Sequence, residues 1–316
     1  MTTSSLGLLL ALGALVFWSL TPFFFAATGR LIGPFATNLL RLSIAAPVMI
    51  AASGVALALQ AGGDGIAGLP GLRGVAILAL SGVLGLALGD LLLYRSLFRV
   101  GPERSSLLMT LAPAAAAAVA WFALRETLTP VQLGGMTLIL GGVLVAVWKP
   151  GAAGAAAAGQ GTGRHHGFWY GASAGIAAAA CQALSSVMAR QVFLEQPDLS
   201  PLYATTVRIA AVSLALLIFA VLRGVGLAAS LAALRKPRVL PRLLAGTISG
   251  PILGMTCYIA AMKFQPAGVV VTITFMTPLL VMPLGAWRYG TRVSPRTLAG
   301  ALAALAGVAL LGLFPA

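Results

Sequence analysis

Runs of about 20 mainly apolar residues recur along this chain, and a run of that length is what an α-helix needs to cross a lipid bilayer. Of the 316 residues, 59% are hydrophobic and only 8% are charged, whereas a soluble domain has about 25% charged residues. We therefore predict an all-α integral membrane protein. The ten predicted transmembrane helices lie near residues 5–27, 34–59, 74–98, 103–124, 130–148, 167–189, 201–222, 241–263, 267–287 and 295–313.

The basic residues lie mostly between the apolar runs. The formal net charge is +14, which on a soluble fold would suggest a nucleic-acid partner. A nucleic-acid-binding protein, however, clusters Lys and Arg on one face among polar and aromatic residues. Basic residues between apolar runs are instead typical of proteins that anchor at lipid headgroups. We therefore expect the lipid bilayer as a partner, and no nucleic acid.

The two halves of the chain resemble each other. A shift of 167 residues superimposes Pro34 on Pro201 and Arg41 on Arg208. A shift of 165 residues, without a gap, superimposes Gly85 on Gly250, Gly89 on Gly254, Pro113 on Pro278, Pro130 on Pro295, Gly135 on Gly300 and Gly142 on Gly307. Glycine is common here, so the shared proline and arginine positions are the stronger sign of a repeat.

This repeat predicts the domain organisation. We expect a first five-helix repeat at residues 1–149, an Ala/Gly-rich linker at 150–166 and a second five-helix repeat at 167–316. Because five crossings are an odd number, the second repeat would be inverted relative to the first. Inverted repeats recur in secondary transporters, where the substrate site lies near the middle of the bilayer. Two internal halves also make an oligomer unnecessary for forming a pathway.

One acidic residue, Asp90, lies within a predicted helix, where an ionisable group is expensive and indicates function. At 1.5 Å per residue, Arg41 lies about 10 Å along the second helix and Asp90 about 12 Å before the end of the third. The two residues are therefore at similar depth on the same side, and we predict that they pair. The pair is either a structural ion pair or a site of proton coupling or substrate gating.

Arg208 occupies the position of Arg41 in the second half. The position of Asp90 corresponds there to Met255, so the second half lacks the equivalent acid. Arg208 could attract a substrate carboxylate. Alternatively, it could extend to the membrane interface or bind backbone carbonyls.

Further polar or amphipathic residues lie within the apolar runs, where lipid offers them no hydrogen bonds. With Arg208, they predict a modestly polar substrate cavity with aromatic walls, although each alone is more often a contact between helices. These residues are Trp18, Ser19, Asn38, Tyr94, Gln182, Thr256 and Tyr258. Pro22, Pro113 and Pro278 are candidate hinges, or simply prolines of the kind common in membrane helices.

The sequence holds little that favours an enzyme. Cys181 and Cys257 each lie inside an apolar run, and their spacing suggests neither a disulfide nor a metal site. His165 and His166 lack further ligands at a workable spacing, so we predict no metal and no cofactor. There is no nucleotide-binding loop of the Gly-x-x-x-x-Gly-Lys-Ser/Thr type. A lipid-modifying enzyme and a membrane scaffold remain as alternatives of other classes.

The stretch from Pro113 through Arg125-Glu126-Thr127-Leu128-Thr129 to Gln132 and Gly135 resembles the drug/metabolite transporter superfamily, in particular its ten-helix EamA-type members. Tyr94-Arg95-Ser96-Leu97 and Phe17-Trp18-Ser19 are similar to further stretches of that family. In the second half, Trp287-Arg288-Tyr289-Gly290-Thr291 lacks the expected glutamate.

The resemblance implies ten helices and the export of amino acids or other small metabolites, driven by an ion gradient, without naming the substrate; a multidrug carrier of the same fold is the alternative. It also implies a location in the plasma membrane, the inner membrane of a bacterium.

The orientation of the termini is predicted differently by two arguments. On the side of the termini the loops hold four Lys or Arg residues, and on the other side they hold thirteen. The positive-inside rule therefore places both termini outside the cytoplasm. The resemblance implies cytoplasmic termini. We expect the orientation that the charges indicate.

Overall fold

The chain is described by a computed structural model that covers residues 3–60, 68–100, 102–147, 164–224, 231–235, 237–289 and 294–313. Over these ranges the secondary structure is helical, with no β-strand. In chain order the helices are α1 (Thr3–Ile32), α2 (Pro34–Gln60), α3 (Leu72–Gly82), a π-helix π1 (Val83–Gly89), α4 (Asp90–Val100), α5 (Pro102–Met109), α6 (Leu111–Leu124), α7 (Pro130–Val147), α8 (Arg164–Glu195), α9 (Pro201–Leu222), α10 (Val239–Thr247), a second π-helix π2 (Ile248–Gly254), α11 (Met255–Phe264), α12 (Ala267–Thr274), α13 (Thr277–Tyr289) and α14 (Pro295–Leu313).

The predicted membrane-spanning segments are present in the structure. Among the described residues, eight helical stretches are long and apolar enough to cross a bilayer, and the shorter helices Leu111–Leu124 and Pro130–Ala146 are also apolar. Together they occupy the positions of the ten predicted runs, so the prediction of an all-α membrane fold is confirmed. Helix α8 begins at Arg164, inside the predicted linker. The rest of that linker, and the side chains of His165 and His166, lie outside the described residues.

The helices are interrupted at the same places in both repeats. Positions 83–89 form π1 and positions 248–254 form π2, which are 165 residues apart. The break between α5 and α6 at Thr110 likewise corresponds to the break between α12 and α13. The repeat found in the sequence is therefore also a repeat of backbone irregularities. Single turns of π-helix are rare and often lie at functional sites.

The candidate hinge prolines lie at different kinds of position. Pro113 and Pro278 lie in the first turns of α6 and α13, directly after the breaks, where proline is tolerated because the missing N–H has no intrahelical partner. Pro22 lies inside α1. A hinge role for each of the three prolines stays a prediction.

The helices group into two compact units that differ from the predicted repeats. The first unit combines Met1–Ala87 with Met188–Gln265, and the second combines Leu88–Val187 with Pro266–Ala316. Each repeat therefore contributes helices to both units. The predicted domain bounds are sequence bounds, and they stay a prediction.

In the first unit, α1 runs antiparallel to the α10–π2–α11 segment. A Cβ on Gly7 would lie 2.7 Å from the side chain of Gln265, and a Cβ on Gly250 would lie 3.1 Å from that of Thr21. The second helices of the two repeats, α2 and α9, also pair, because the hydroxyls of Ser53 and Thr206 are 2.7 Å apart. These contacts bring the helix that carries Arg208 and the π2 region into one compact unit.

In the second unit, α7 and α14 pack through glycines. A Cβ on Gly142 would overlap the carbonyl oxygen of Gly300, and a Cβ on Gly135 would lie 3.0 Å from that of Gly307. Small residues allow membrane helices to approach this closely. Gly135 and Gly142 are the repeat equivalents of Gly300 and Gly307, and each contacts the equivalent of the other. Only antiparallel packing about an approximate twofold axis produces this exchange, as an inverted repeat requires.

Candidate functional site around a buried arginine

Arg208 is one of the largest fully buried side chains of the described residues, with 2% of its surface exposed. It lies two turns into α9, a helix that begins at Pro201, where the fixed φ of proline favours helix initiation. Its guanidinium Nη1 donates a hydrogen bond to Oγ of Ser81 at the end of α3. A buried charge needs such partners, because desolvation without them is very costly. The guanidinium is therefore enclosed by protein.

A glycine lets α3 approach the arginine. A Cβ on Gly82 would lie 2.8 Å from the carbonyl oxygen of Arg208 and 3.1 Å from its Cα. The adjacent Ser81 hydroxyl is buried and also donates to the carbonyl of Leu78 at 2.7 Å. Since π1 starts at Val83, the hydrogen bond to Arg208 lies directly before an irregular segment of the backbone.

Tyr258 lies near Arg208, and Trp18 packs on Tyr258. Tyr258 on α11 is 1% exposed and lies within electrostatic reach of the Arg208 guanidinium. Its ring centroid is 5.0 Å from that of Trp18 on α1, with the planes tilted by 40°. A Cβ on Gly254, at the end of π2, would lie 2.5 Å from the Trp18 indole, so this position leaves room for the indole. We call Trp18, Ser81, Arg208 and Tyr258 the buried arginine cluster.

The sequence identified most of this cluster. Trp18, Arg208 and Tyr258 are among the predicted cavity residues, and the structure brings them together in the first unit. Ser81 and Gly254 were missed. A signal for both was the glycine-rich sequence around residues 81–89 and its counterpart 165 positions later, which mark π1 and π2.

Two other predicted cavity residues make hydrogen bonds within their own helices. The Ser19 hydroxyl is buried and donates to the carbonyl of Leu15 at 2.7 Å. The Thr256 hydroxyl donates to the carbonyl of Ile252 at 2.6 Å. Each hydroxyl is therefore satisfied without a ligand. A role for either residue in a substrate cavity stays a prediction.

Arg41 has different surroundings from its repeat equivalent Arg208. Its Nε donates to Oδ1 of the buried Asn38 at 2.7 Å, and its Cζ lies 5.2 Å from the centroid of the Phe25 ring. That ring in turn lies 2.5 Å from where a Cβ on Gly246 would stand. Gly246 is the repeat equivalent of Ser81. Arg208 thus donates a hydrogen bond to Ser81. Arg41 instead lies over the ring of Phe25, which packs against Gly246.

The remaining predicted residues belong to the second unit. Asp90 is half-buried and is the first residue of α4, directly after π1, and Tyr94 follows one turn later. Gln182 lies on α8, where its carbonyl accepts a hydrogen bond from Ser186 at 2.6 Å. The predicted pairing of Asp90 with Arg41 and the predicted cavity roles of Tyr94 and Gln182 stay predictions.

The Arg125-Glu126 motif lies in the second unit, where α6 ends. Arg125 ends α6 in a left-handed conformation, with φ of 56°. Glu126 then accepts a hydrogen bond on Oε2 from the backbone N–H of Ala267 at 3.3 Å. Ala267 is the first residue of α12, and an anion is stabilised at a helix N-terminus by the unsatisfied N–H groups and the helix dipole. Glu126 therefore caps a helix of the other repeat.

Metal chemistry finds no support in the part of the chain that is described. No group of three or more His, Cys, Asp or Glu side chains is close enough there to hold a metal ion. Cys181 and Cys257 are both free thiols.

An all-helical bundle of ten apolar segments, with an inverted repeat and a polar cluster buried beside its helix irregularities, defines a multi-pass membrane protein of the transporter class. A sequence profile of the EamA-like transporter family matches residues 5–148 and, a second time, residues 169–313. The chain belongs to this family, within the drug/metabolite transporter superfamily. The resemblance in the motif around Glu126 is thereby confirmed, and the family consists of transporters.

The fold is also known from experiment. A crystal structure of a protein superposes on this chain with a TM-score of 0.72, at 20% sequence identity, over 97% of this chain and 96% of its own. At that identity the likeness shows the fold alone. A comparison with curated protein sequences finds no match.

Proposed function

We propose that this transporter exports amino acids or related small metabolites across the plasma membrane, the inner membrane of a bacterium, by proton-coupled alternating access. The observation that carries the proposal is the buried arginine cluster. A guanidinium inside a membrane-spanning helix is expensive, and such residues mark substrate or ion pathways.

The chemistry of the cluster suits a carboxylate. A guanidinium presents planar, paired N–H donors that match the two oxygens of a carboxylate. A substrate carboxylate would replace the Ser81 hydroxyl with a charged, bidentate partner. Tyr258 and Trp18 would contact an apolar or aromatic substrate side chain. The cluster lies beside π1 and π2, whose irregular backbones offer places for a helix to bend when the site opens.

Asp90 is the candidate for coupling. A carboxylate directly after π1 can bind and release a proton, and carboxylates in membrane helices commonly relay protons in transporters. We propose that Arg41 is its partner while it is ionised. Protonation would then remove the attraction between the two side chains and favour the alternative conformation.

The test is uptake of radiolabelled amino acids into proteoliposomes, with and without an imposed proton gradient. Wild-type protein should show gradient-stimulated uptake, and Asp90→Asn should lose the stimulation because its side chain cannot ionise. Stimulated transport that survives in Asp90→Asn would reduce the aspartate to a structural residue. Absence of transport for every amino acid would contradict the proposed substrate class.

The same assay tests the arginine, with a matched control. Arg208→Lys keeps the charge but loses the paired donors, so we expect at least a tenfold loss of kcat/KM, mainly through KM. Arg190→Lys is the control, because Arg190 donates its hydrogen bonds of 2.8 and 2.9 Å to the backbone carbonyls of Met262 and Lys263, one turn along α11 from Tyr258. Equal losses in the two variants would mean that Arg208 is structural. Ser81→Ala removes a partner of Arg208 more conservatively, should Arg208→Lys fail to fold.

A further inference from the structure

The second compact unit contains a cavity that shares no residue with the buried arginine cluster and has a mainly apolar lining. Its volume is about 350 Å³, and its walls are Val100, Arg104, Leu108, Leu111, Phe168 and Ala172. Ligand cavities in proteins have volumes of about 300–1,000 Å³. The lining is apolar apart from one arginine, which suits a ligand that has a hydrocarbon portion and one anionic group.

The cavity lies where membrane-spanning segments end. The span that includes α4 ends at Leu97, the fourth predicted crossing, formed by α5 and α6, begins near residue 103, and the span of α8 begins at Phe168. These three ends lie on the same side of the bilayer, because the fourth and fifth crossings lie between the second and the third of them. Phe168, Trp169 and Tyr170 are all exposed, as aromatic residues at the level of lipid headgroups are.

Arg104 in the cavity wall and Arg99, which precedes the wall residue Val100, each lie close to an aromatic ring. Cζ of Arg104 lies 5.2 Å from the centroid of Phe168, and Cζ of the exposed Arg99 lies 5.7 Å from that of Tyr170. A Cβ on Gly171 would lie 2.5 Å from Cβ of Arg99, so glycine lets α8 approach α4 at this point. An aromatic ring orients a guanidinium through its face, which leaves the N–H groups in the guanidinium plane available to bind phosphate oxygens.

We propose that this cavity binds one anionic phospholipid of the bilayer, with its phosphate at Arg99 and Arg104 and an acyl chain against Leu108, Leu111 and Ala172. Charge complementarity favours an anionic over a zwitterionic lipid. The apolar walls favour a lipid over free phosphate, because inorganic phosphate has no hydrocarbon portion to fill the cavity. Basic pockets between membrane helices bind anionic headgroups in this way, on the side that the positive-inside rule makes cytoplasmic.

The test uses the purified full chain in detergent, mixed with phosphatidylglycerol or phosphatidylcholine of the same acyl chains, and native mass spectrometry to measure the retained lipid. Wild-type protein should retain phosphatidylglycerol in preference. Arg99→Gln/Arg104→Gln should weaken that retention by about 25-fold, since each basic residue contributes about fivefold. Arg223→Gln is the matched control, because Arg223 also stacks on an aromatic ring, 5.6 Å from the centroid of Phe219, in the first unit.

Two further measurements separate the sources of binding. Ala172→Leu fills part of the cavity without changing any charge, and it should reduce retention of phosphatidylglycerol even if the arginine variant does not fold. Inorganic phosphate should not displace the lipid. The proposal is overturned if Arg99→Gln/Arg104→Gln and Ala172→Leu both retain as much phosphatidylglycerol as the wild-type protein. It is also overturned if the wild-type protein retains phosphatidylcholine and phosphatidylglycerol equally, or if inorganic phosphate displaces the lipid. None of these readouts depends on transport, so the test is independent of the proposed function.

Discussion

Glu126 and the helix that it caps are 141 positions apart. The second half has no glutamate at the equivalent position, Thr291. The repeat equivalent of Ala267 is Pro102, the first residue of α5. A proline has no backbone N–H to donate, so the hydrogen bond that Ala267 donates to Glu126 has no counterpart at Pro102.

This assignment makes Glu126 a stabilising residue. Glu126→Ala should lower the free energy of unfolding by about 1 kcal/mol, the typical contribution of a helix cap. In a protein of this size that corresponds to a fall in Tm of about 2–4 °C, measurable by thermal unfolding in detergent. Glu195→Ala is the control, since Glu195 pairs at 3.2 Å with Arg73, whose side chain is 74% exposed, and such a pair should contribute little. An equal fall in both variants would contradict the cap.

Arg41 and Arg208 show what a sequence pattern can and cannot predict about a buried residue. Their equivalence is visible in the sequence, and so is their position within apolar runs. Their different surroundings are not, because these depend on Ser81 and Gly246, neighbours from other helices that only the packing brings close. The sequence therefore predicted which residues are polar inside the membrane, but not the partners that satisfy them.

At the scale of elements, the apolar runs predicted helix positions to within a few residues, because the thickness of the bilayer fixes their length. The π-helices were not predicted. Their glycines are visible, but glycine is common throughout membrane helices, so its presence did not identify the turns that would be irregular. The breaks before Leu111 and Thr277 were missed for a similar reason, since apolar residues continue across both.

The packing of α7 on α14 gives a sharp prediction for two adjacent glycines. A Cβ on Gly142 would overlap the backbone of Gly300, whereas a Cβ on Gly141 meets nothing within 4 Å. Gly142→Ala should therefore lower the free energy of unfolding by about 1–3 kcal/mol through overpacking. Gly141→Ala should leave it unchanged or slightly raise it, because alanine favours a helix by about 0.5–1 kcal/mol.

Thermal unfolding of the two purified variants in the same detergent distinguishes these outcomes. A Tm for Gly142→Ala equal to that of Gly141→Ala would mean that the two helices do not approach each other as closely as the structure has them.

At the scale of the whole molecule, the distribution of charge predicts the orientation in the membrane. Thirteen Lys and Arg residues lie in the loops and helix ends predicted for one side, and four in those predicted for the other. We therefore expect both termini outside the cytoplasm. A tag after Ala316 should be accessible to a protease added to intact spheroplasts. Accessibility only after lysis would show that the orientation implied by the family is correct.

The class of the molecule was more predictable than its site. Membrane insertion follows from composition, and the family follows from a motif and a repeat that both lie within continuous sequence. A site assembled from α1, α3, α9 and α11 cannot be predicted in this way, because tertiary packing alone brings residues of these helices, such as Trp18 and Arg208, into one unit. Arg104 and Phe168 likewise lie in two separate predicted helices, 103–124 and 167–189, and neither run indicates the cavity that both residues line.

The exchange of glycine contacts between α7 and α14 has an evolutionary consequence. Two separate copies of one half could make the same contacts only if they were inserted into the membrane in opposite orientations. Joining the copies in one chain fixes those orientations by covalent linkage, and it also frees equivalent positions to mutate independently. Ser81 and Gly246, or Glu126 and Thr291, are such positions. A duplicated and fused gene can therefore evolve an asymmetric substrate site, which identical halves related by a twofold axis cannot form.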